Sequence, residues 1–365
     1  MDDSTEMTVA EVFLKALYDH GIEYIFANAG TDFAPIIEAL VTASQKGNPT
    51  PKFLTVPHEN VAISMAQGYY RIVGKPAGVM VHVTVGTANT ICGLMNSSRD
   101  NVPTLLMAGR TPLTETGNIG SRNVGIHWGQ ENFDQGGMVR EYVKWDYELR
   151  NDQPVDTLIG RALDIANSEP RGPVYLTLPR EVLGSKAKSP SNSPRSRPSG
   201  STVSIPDIST LERTSDLILK AEKPLIVSGK LGCREYAFDV LDAFATDFGL
   251  PVTQVDVPAL PSGHPMNWGF TAGQHLPDAD LVLVIESSVP WIPRTVNPNR
   301  NCKLIHLSPD PFYARFPYRG FEMDVALSGE PVESLKLLHQ IMLTRSKGKK
   351  RAINARRKLI LEKHE

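Results

Sequence analysis

Cysteine is scarce: Cys92, Cys233 and Cys302 are the only three in 365 residues. They are odd in number and far apart, so they form neither a disulfide framework nor a metal-ligand spacing. That usage suits a reducing compartment, and the expected location is cytoplasmic. Net charge is also small, formally −2. Nothing global points to nucleic acid or an anionic membrane as a partner. Long apolar runs are missing too, and no stretch approaches the ~20 residues needed to span a bilayer. The first residues, Met1-Asp2-Asp3-Ser4-Thr5-Glu6, are acidic and polar. They resemble neither a secretory signal nor an Arg-rich transit peptide.

The composition itself is ordinary for a globular protein, with 41% hydrophobic and 21% charged residues. Such a chain can bury a core, which excludes wholesale disorder. At ~100–200 residues per domain, the length suggests two or three domains.

The chain opens with Thr8-Val9-Ala10-Glu11, a capping box in which the hydroxyl and the carboxylate each satisfy a free backbone N–H. Apolar residues at helical spacing follow, and then Tyr24-Ile25-Phe26-Ala27 reads as a strand. The alternation continues with strands at 53–56, 78–84, 104–108 and 174–178 and helices at 60–73, 89–99 and 154–168. Near-continuous apolar strands separated by helices predict a parallel sheet covered on both faces. Residues 185–204 break the pattern with a Ser/Pro/basic stretch that has little to bury, and they read as a linker. A second α/β unit follows. It opens on Ser209-Thr210-Leu211-Glu212, which also reads as a capping box. Its strands are expected at 224–229, 251–255, 281–285 and 303–307, and its helices at 235–248 and 332–342. The basic tail from 345 onward reads as a solvated helix. The expected fold class is therefore α/β: two Rossmann-like or flavodoxin-like domains with mostly parallel sheets and helices on both faces.

In an open parallel sheet, ligands bind beyond the carboxyl ends of the strands. Three loops of the first domain qualify: Asn28-Ala29-Gly30-Thr31, Pro57-His58-Glu59-Asn60, and the segment from His82 through Gly86-Thr87-Ala88-Asn89. Glu59 opens a helix, where the helix dipole favours a carboxylate. His82 lies on an expected strand, on the face opposite Val81 and Val83. Gly86-Thr87-Ala88-Asn89 stands before an expected helix and offers free N–H groups to an anion. Cys92 falls in an apolar helix and is expected to pack in the core.

These loops carry a resemblance. The chain resembles the thiamine diphosphate-dependent enzymes of the acetolactate synthase, pyruvate oxidase and benzoylformate decarboxylase superfamily. The matching residues are Ile25-Phe26-Ala27-Asn28-Ala29-Gly30-Thr31, His58-Glu59-Asn60-Val61-Ala62 with Ala66-Gln67-Gly68-Tyr69, Gly86-Thr87-Ala88-Asn89 with Gly93-Leu94, Val102-Pro103-Thr104-Leu105-Leu106, and Gly172-Pro173-Val174-Tyr175-Leu176-Thr177-Leu178-Pro179. Looser cues follow in the second domain, among them Lys223-Pro224-Leu225-Ile226-Val227 and Ala279-Asp280-Leu281-Val282-Leu283.

The resemblance implies the following assignments. Residues 1–184 form the pyrimidine-binding domain, 185–204 the linker, 205–343 the central domain, and 344–365 a basic connector. The cofactor is thiamine diphosphate. Glu59 hydrogen-bonds its aminopyrimidine and stabilises the imino tautomer, which removes the thiazolium C2 proton; the carbon so formed attacks a 2-oxo acid. Ala29, Gly30, Thr31, Gly86, Thr87 and Asn89 join Glu59 as cofactor-binding residues. His82 is an acid–base residue of the benzoylformate decarboxylase kind, while Gln130-Glu131 leans toward acetolactate synthase. His58 and Gln130 are candidates around the substrate. Glu286-Ser287-Ser288-Val289-Pro290-Trp291 stands where flavin-binding relatives carry an Arg-Phe-Asp-Asp-Arg-like stretch, which argues against FAD.

The family's Gly-Asp-Gly…Asn signature, which holds Mg2+ and the diphosphate, does not occur in this sequence. The expectation is a chain lacking the diphosphate-binding domain, with no metal ligands of its own and inactive alone. Mg2+ enters only with the missing domain. Expected partners are a small 2-oxo acid and either further copies of the chain, as a dimer or tetramer, or a second chain bearing that domain. The rival expectations are a carboligase of the acetolactate synthase kind and a non-catalytic or truncated homologue.

Overall fold

A computed structural model of the chain describes residues 7–151, 153–187 and 200–364. The acidic residues 1–6 and most of the expected linker, residues 188–199, lie outside the described residues. The chain divides into two compact units, Met1–Thr202 and Val203–Glu365.

The first unit contains α1 (Val9–Asp19), β1 (Tyr24–Asn28), α2 (Ala34–Lys46), β2 (Lys52–Thr55), α3 (Glu59–Val73), β3 (Ala77–Val81), α4 (Val83–Arg99), β4 (Thr104–Arg110), α5 (Ile126–Gly129), β5 (Asp146–Glu148), α6 (Val155–Asn167), β6 (Val174–Pro179) and α7 (Arg180–Gly184). Its six strands pair in parallel in the order β2-β1-β3-β4-β6-β5. The capping box holds: the Thr8 N–H donates to Glu11 Oε2 at 2.7 Å, and the Glu11 N–H donates to Thr8 Oγ1 at 3.2 Å.

Strand alternation divides the core in two. Ile25, Met80, Leu105 and Met107 pack with Phe13, Leu17, Ile36 and Ile159 on the face covered by α1, α2 and α6. Phe26, Val79, Val81, Leu106 and Ala108 pack with Ala62, Ile63 and Leu94 on the face covered by α3 and α4. Each fully buried Leu, Ile or Phe contributes about 1.5–3 kcal/mol relative to exposure. A one-residue register slip would exchange the two sets.

The second unit contains α8 (Ile208–Lys220), β7 (Pro224–Ser228), α9 (Ala237–Phe248), β8 (Val252–Gln254), β9 (Leu281–Ile285), β10 (Lys303–Ser308), β11 (Val325–Ser328), α10 (Pro331–Arg345) and α11 (Lys350–His364). Its parallel sheet runs β11-β10-β9-β7-β8. Helices cover one face. On the other, Ala272, Leu276 and Trp291, from irregular chain and single turns, pack against Leu225, Val227, Val282 and Val284.

Four local expectations change. First, β3 ends at Val81 and α4 begins at Val83, six residues earlier than the expected helix. His82 therefore caps a helix instead of facing out from a strand. The Gly86 N–H is not free for an anion, because it donates to the His82 carbonyl at 2.7 Å. Second, Cys92 is exposed. With α4 phased from Val83, its buried stripe is Gly86, Thr87, Thr90, Gly93, Leu94 and Ser97. Third, α8 is capped by Asp207, whose side chain accepts from the Thr210 N–H at 2.9 Å, so the helix starts before the expected box. Fourth, the basic tail is not wholly solvated. Ile353, Arg356 and Ile360 recur at spacings of three and four and are buried. The Arg356 guanidinium donates to the carbonyls of Ile218 and Ala221 at 3.3 and 3.2 Å.

Candidate functional site

The sheet order places the carboxyl ends of β2, β1, β3 and β4 side by side. The segments leaving those strands carry His58 and Glu59, then Ala29 to Thr31, then His82, then Arg110. All of these stand at one rim, the place where an open parallel sheet binds ligands.

Glu59 is the first residue of α3 and 8% exposed. Asn89, in the second turn of α4, donates from Nδ2 to Glu59 Oε2 at 3.1 Å. Among the described residues no other group hydrogen-bonds this carboxylate, so Oε1 remains for another donor. His58 caps α3, with its Nδ1 accepting from the Asn60 N–H at 3.1 Å, and the side chain is exposed. That bond gives His58 a local role at the helix end. Ala29 and Thr31 are exposed and Gly30 is half-buried.

Gly86 and Thr87 lie deeper. A Cβ on Gly86 would come within 2.9 Å of Val81 Cβ, so glycine permits the close passage of α4 over β3. Thr87 Oγ1 donates to the Val83 carbonyl at 2.8 Å and stands 2.9 Å from the Tyr175 hydroxyl, inside the core. Both residues shape the wall behind the rim. Asn89 reaches the rim through Glu59.

His82 Nδ1 stands 2.6 Å from Asp32 Oδ1, and Gln130 Nε2 stands 3.4 Å from His82 Nε2. Asp32 is buried, and its Oδ2 accepts the Val83 N–H at 3.3 Å. Val83 has φ 34°, a conformation costly for a β-branched residue. The hydrogen bond to Asp32 raises the His82 pKa, burial opposes that, and the charges of Asp32 and Glu59 add to the rise.

A cleft beside His82 is lined by Thr31, Arg110, His127, Gln130 and Arg180. His127 is buried; its Nδ1 accepts from the Asn123 N–H at 3.3 Å, while Nε2 has no partner among the described residues. Burial lowers the His127 pKa, and Arg180, Arg122 and His82 lower it further. Arginines tie down the long segment after β4. Arg110 donates to Glu148 at 3.0 Å and to Glu131 at 2.9 Å. Arg122 donates to Glu131 at 2.5 Å. Arg180 donates to the carbonyls of Gly120 and Ser121 at 2.7 and 2.8 Å.

Sequence reasoning missed Asp32, Gly109, Arg110 and His127. A signal existed for two of them: Gly109-Arg110 directly follows a strand that the apolar pattern shows, so it was a fourth rim loop. Asp32 and His127 had no such signal, because their importance comes from contacts distant in sequence.

Tandem parallel α/β units define an open-sheet α/β protein, and a carboxylate and an imidazole gather at the rim where such sheets bind ligands. The chain belongs to the thiamine pyrophosphate enzymes. Residues 7–138 match their N-terminal TPP binding domain, and residues 211–338 match their central domain. The chain is 27% identical to the acetolactate synthase large subunit of Haemophilus influenzae over 84% of its own length and 53% of that protein. It is 24% identical to the acetolactate synthase isozyme 3 large subunit of Escherichia coli, over 83% of its length and 52% of that protein. It thus spans about half the length of these curated relatives. A putative thiamin diphosphate-dependent enzyme from Mycobacterium smegmatis superposes with TM-score 0.77 at 25% identity, covering 92% of this chain and 63% of that one. Benzoylformate decarboxylase from Polynucleobacter necessarius shares the fold, with TM-score 0.74 at 21% identity over 92% of this chain and 61% of that one. Among the described residues no helix is long and apolar enough to cross a membrane.

Proposed function

We propose that this chain provides the aminopyrimidine side of a thiamine diphosphate site in a 2-oxo acid decarboxylase or carboligase. The observation that carries the reading is Glu59, an 8% exposed carboxylate in the first turn of α3 with Asn89 on one oxygen and the other open. Thiamine diphosphate, when bound, supplies a nucleophilic carbon and an electron sink for cleaving or forming a bond next to a carbonyl. Glu59 holds a proton shared with a pyrimidine nitrogen. Its low exposure keeps water from competing for that bond. Asn89 orients Glu59. Ala29, Gly30 and Thr31 line the approach, and the Thr31 hydroxyl meets the substrate. His82 moves a proton on the substrate side, with Gln130 beside its Nε2. Mg2+ and the diphosphate belong to a diphosphate-binding domain, on a longer product or a second chain, and FAD is not required.

Acetolactate synthase-type carboligation is the second reading, favoured by the likeness to acetolactate synthase large subunits. His82 at the rim favours decarboxylation. The test mixes the chain with thiamine diphosphate, Mg2+ and a chain carrying the diphosphate-binding domain of a relative, and then offers a panel of 2-oxo acids. Release of CO2 with an aldehyde product supports the first reading; a 2-hydroxy-2-alkyl-3-oxo acid supports the second. A complex that binds the cofactor and turns over no 2-oxo acid overturns both and leaves a non-catalytic module.

A further inference from the structure

A short polar contact at the rim joins Asp32 and His82, and the chain makes room for it in an unusual way. A Cβ on Gly30 would fall 2.0 Å from His82 Nδ1, and a Cβ on Gly109 would fall 1.7 Å from Asp32 Oδ2. Two glycines, at the ends of β1 and β4, are thus the sockets of one carboxylate–imidazole pair. Asp32 is 2% exposed and spends both oxygens locally, Oδ1 on His82 and Oδ2 on the Val83 N–H.

We propose that Asp32 is the positioning residue for His82: it accepts the hydrogen bond from Nδ1–H, fixes the ring, and leaves Nε2 as the atom that exchanges a proton at the cleft. This rests on the reading of the rim given above. The step balances as follows. His82 Nε2 accepts a proton from a substrate-side O–H, the imidazolium then carries protons on both nitrogens with its charge opposed by the Asp32 carboxylate, and the same proton leaves from Nε2. Asp32 itself exchanges no proton and touches no substrate.

The tautomer follows from donors and acceptors. Asp32 accepts only, so Nδ1 must carry the hydrogen and Nε2 the lone pair. The Gln130 amide beside Nε2 agrees, since its NH2 can donate to that lone pair. The groups facing the ring are Asp32 after β1, Glu59 at the start of α3, His127 in α5, Arg110 at the end of β4, and Arg180 at the start of α7. The two carboxylates favour the imidazolium, and burial opposes it.

Asp32→Asn tests the assignment. The Val83 N–H still needs an acceptor, so the Asn carbonyl takes the place of Oδ2 and its NH2 faces His82 Nδ1. That forces the hydrogen onto Nε2 and removes the proton acceptor from the cleft. The measurement is long-range 1H–15N NMR of ring nitrogens in the 15N-histidine-labelled chain, with the His82 signals assigned by their loss in His82→Gln. In the unmutated chain the neutral ring is expected as the Nδ1–H tautomer, with a pKa above the ordinary value of about 6.5. In Asp32→Asn the tautomer inverts and the pKa falls. An Nε2–H ring in the unmutated chain overturns the proposal even if the variant does not fold, and so does an unchanged tautomer in a folded variant. The same substitution in the reconstituted complex is expected to lower kcat about 10²-fold or more while KM changes little. A shifted tautomer with unchanged kcat overturns the role of Nε2 in proton exchange. A correct tautomer in a complex without any turnover leaves the pair standing and removes the functional reading instead.

Discussion

Asn89 and Glu59 meet across two helices, the amide of α4 donating to the carboxylate of α3 at 3.1 Å. The bond uses one carboxylate oxygen and aims the other. A carboxylate at a helix start is stabilised by the helix dipole in any protein. This one is 8% exposed and oriented by a neighbouring amide, and among the described residues its second oxygen has no hydrogen-bond partner.

Glu59→Gln keeps the size of the side chain and loses the ionisable group. In the reconstituted complex, proton exchange at C2 of thiamine diphosphate is expected to slow by orders of magnitude. Deuterium exchange followed by NMR is the measurement, and a normal rate in the variant removes Glu59 from the mechanism.

His82→Ala is expected to leave C2 exchange nearly intact and to slow substrate turnover by about 10²–10⁴-fold, the usual worth of a positioned proton-transfer group. The two substitutions therefore separate by step. Unchanged turnover would return His82 to the role of a helix cap and favour carboligation of the acetolactate synthase kind.

Glycine substitutions separate crowding from entropy. Gly109→Ala sets a methyl against Asp32, and Gly30→Ala sets one against the His82 ring. Each is expected to cost about 1–3 kcal/mol, as overpacking does. A methyl at Gly68, inside α3, would meet nothing within 4 Å, so Gly68→Ala is expected to stabilise by about 0.5–1 kcal/mol. Urea midpoints of the three variants check the order.

Two histidines give opposite pH dependences. His306 is buried, and burial with the nearby Arg319 pushes its pKa down to about 3. The unfolded imidazole, near 6.5, binds a proton that the folded one refuses, so the second unit loses stability as pH falls from about 6.5 toward 3. His306→Gln is expected to flatten that slope. The His82 pKa is raised, so its contribution is present below about 6.5 and is lost as pH rises through the folded value. Denaturant midpoints across pH 4–9 for His306→Gln and His82→Gln test both signs. A slope in the His306 variant equal to that of the unmutated chain contradicts the first.

Helices α3 and α4 expose apolar residues along their lengths: Val61, Met65 and Ile72 on α3, and Val85 and Met95 on α4. Exposed apolar side chains repeated on two neighbouring helices are the kind of surface that association covers. Self-association is expected, and Met65→Lys with Ile72→Asp should weaken it. Light scattering over a wide concentration range is the check, with a monodisperse monomer of the unmutated chain as the contrary result.

The longer strands of both sheets, the cap at Thr8 and the place of Glu59 were legible in the sequence. Continuous apolar runs and a capping box are short-range signals, and the rim loops are the segments that directly follow such runs. The short strands β5 and β11 were not expected from the sequence, whereas β2 and β8, no longer than these, were. The basic tail showed its charge but hid its buried stripe of Ile353, Arg356 and Ile360.

The sequence by itself determined the α/β alternation, the two units, the family and the carboxylate that opens α3, because each depends on neighbours within a few residues or on an ordered set of motifs. Only the tertiary structure decided where α4 begins and what His82 can do. Val81, Val83, Thr84 and Val85 are all β-branched, and the segment reads as strand. What turns it into a helix at Val83 is a carboxylate 51 residues earlier that accepts the Val83 N–H. The same carboxylate holds the His82 ring, and it fits only because Gly109, on another strand, has no side chain. Such contacts form when the sheet closes, and no local pattern in the chain records them.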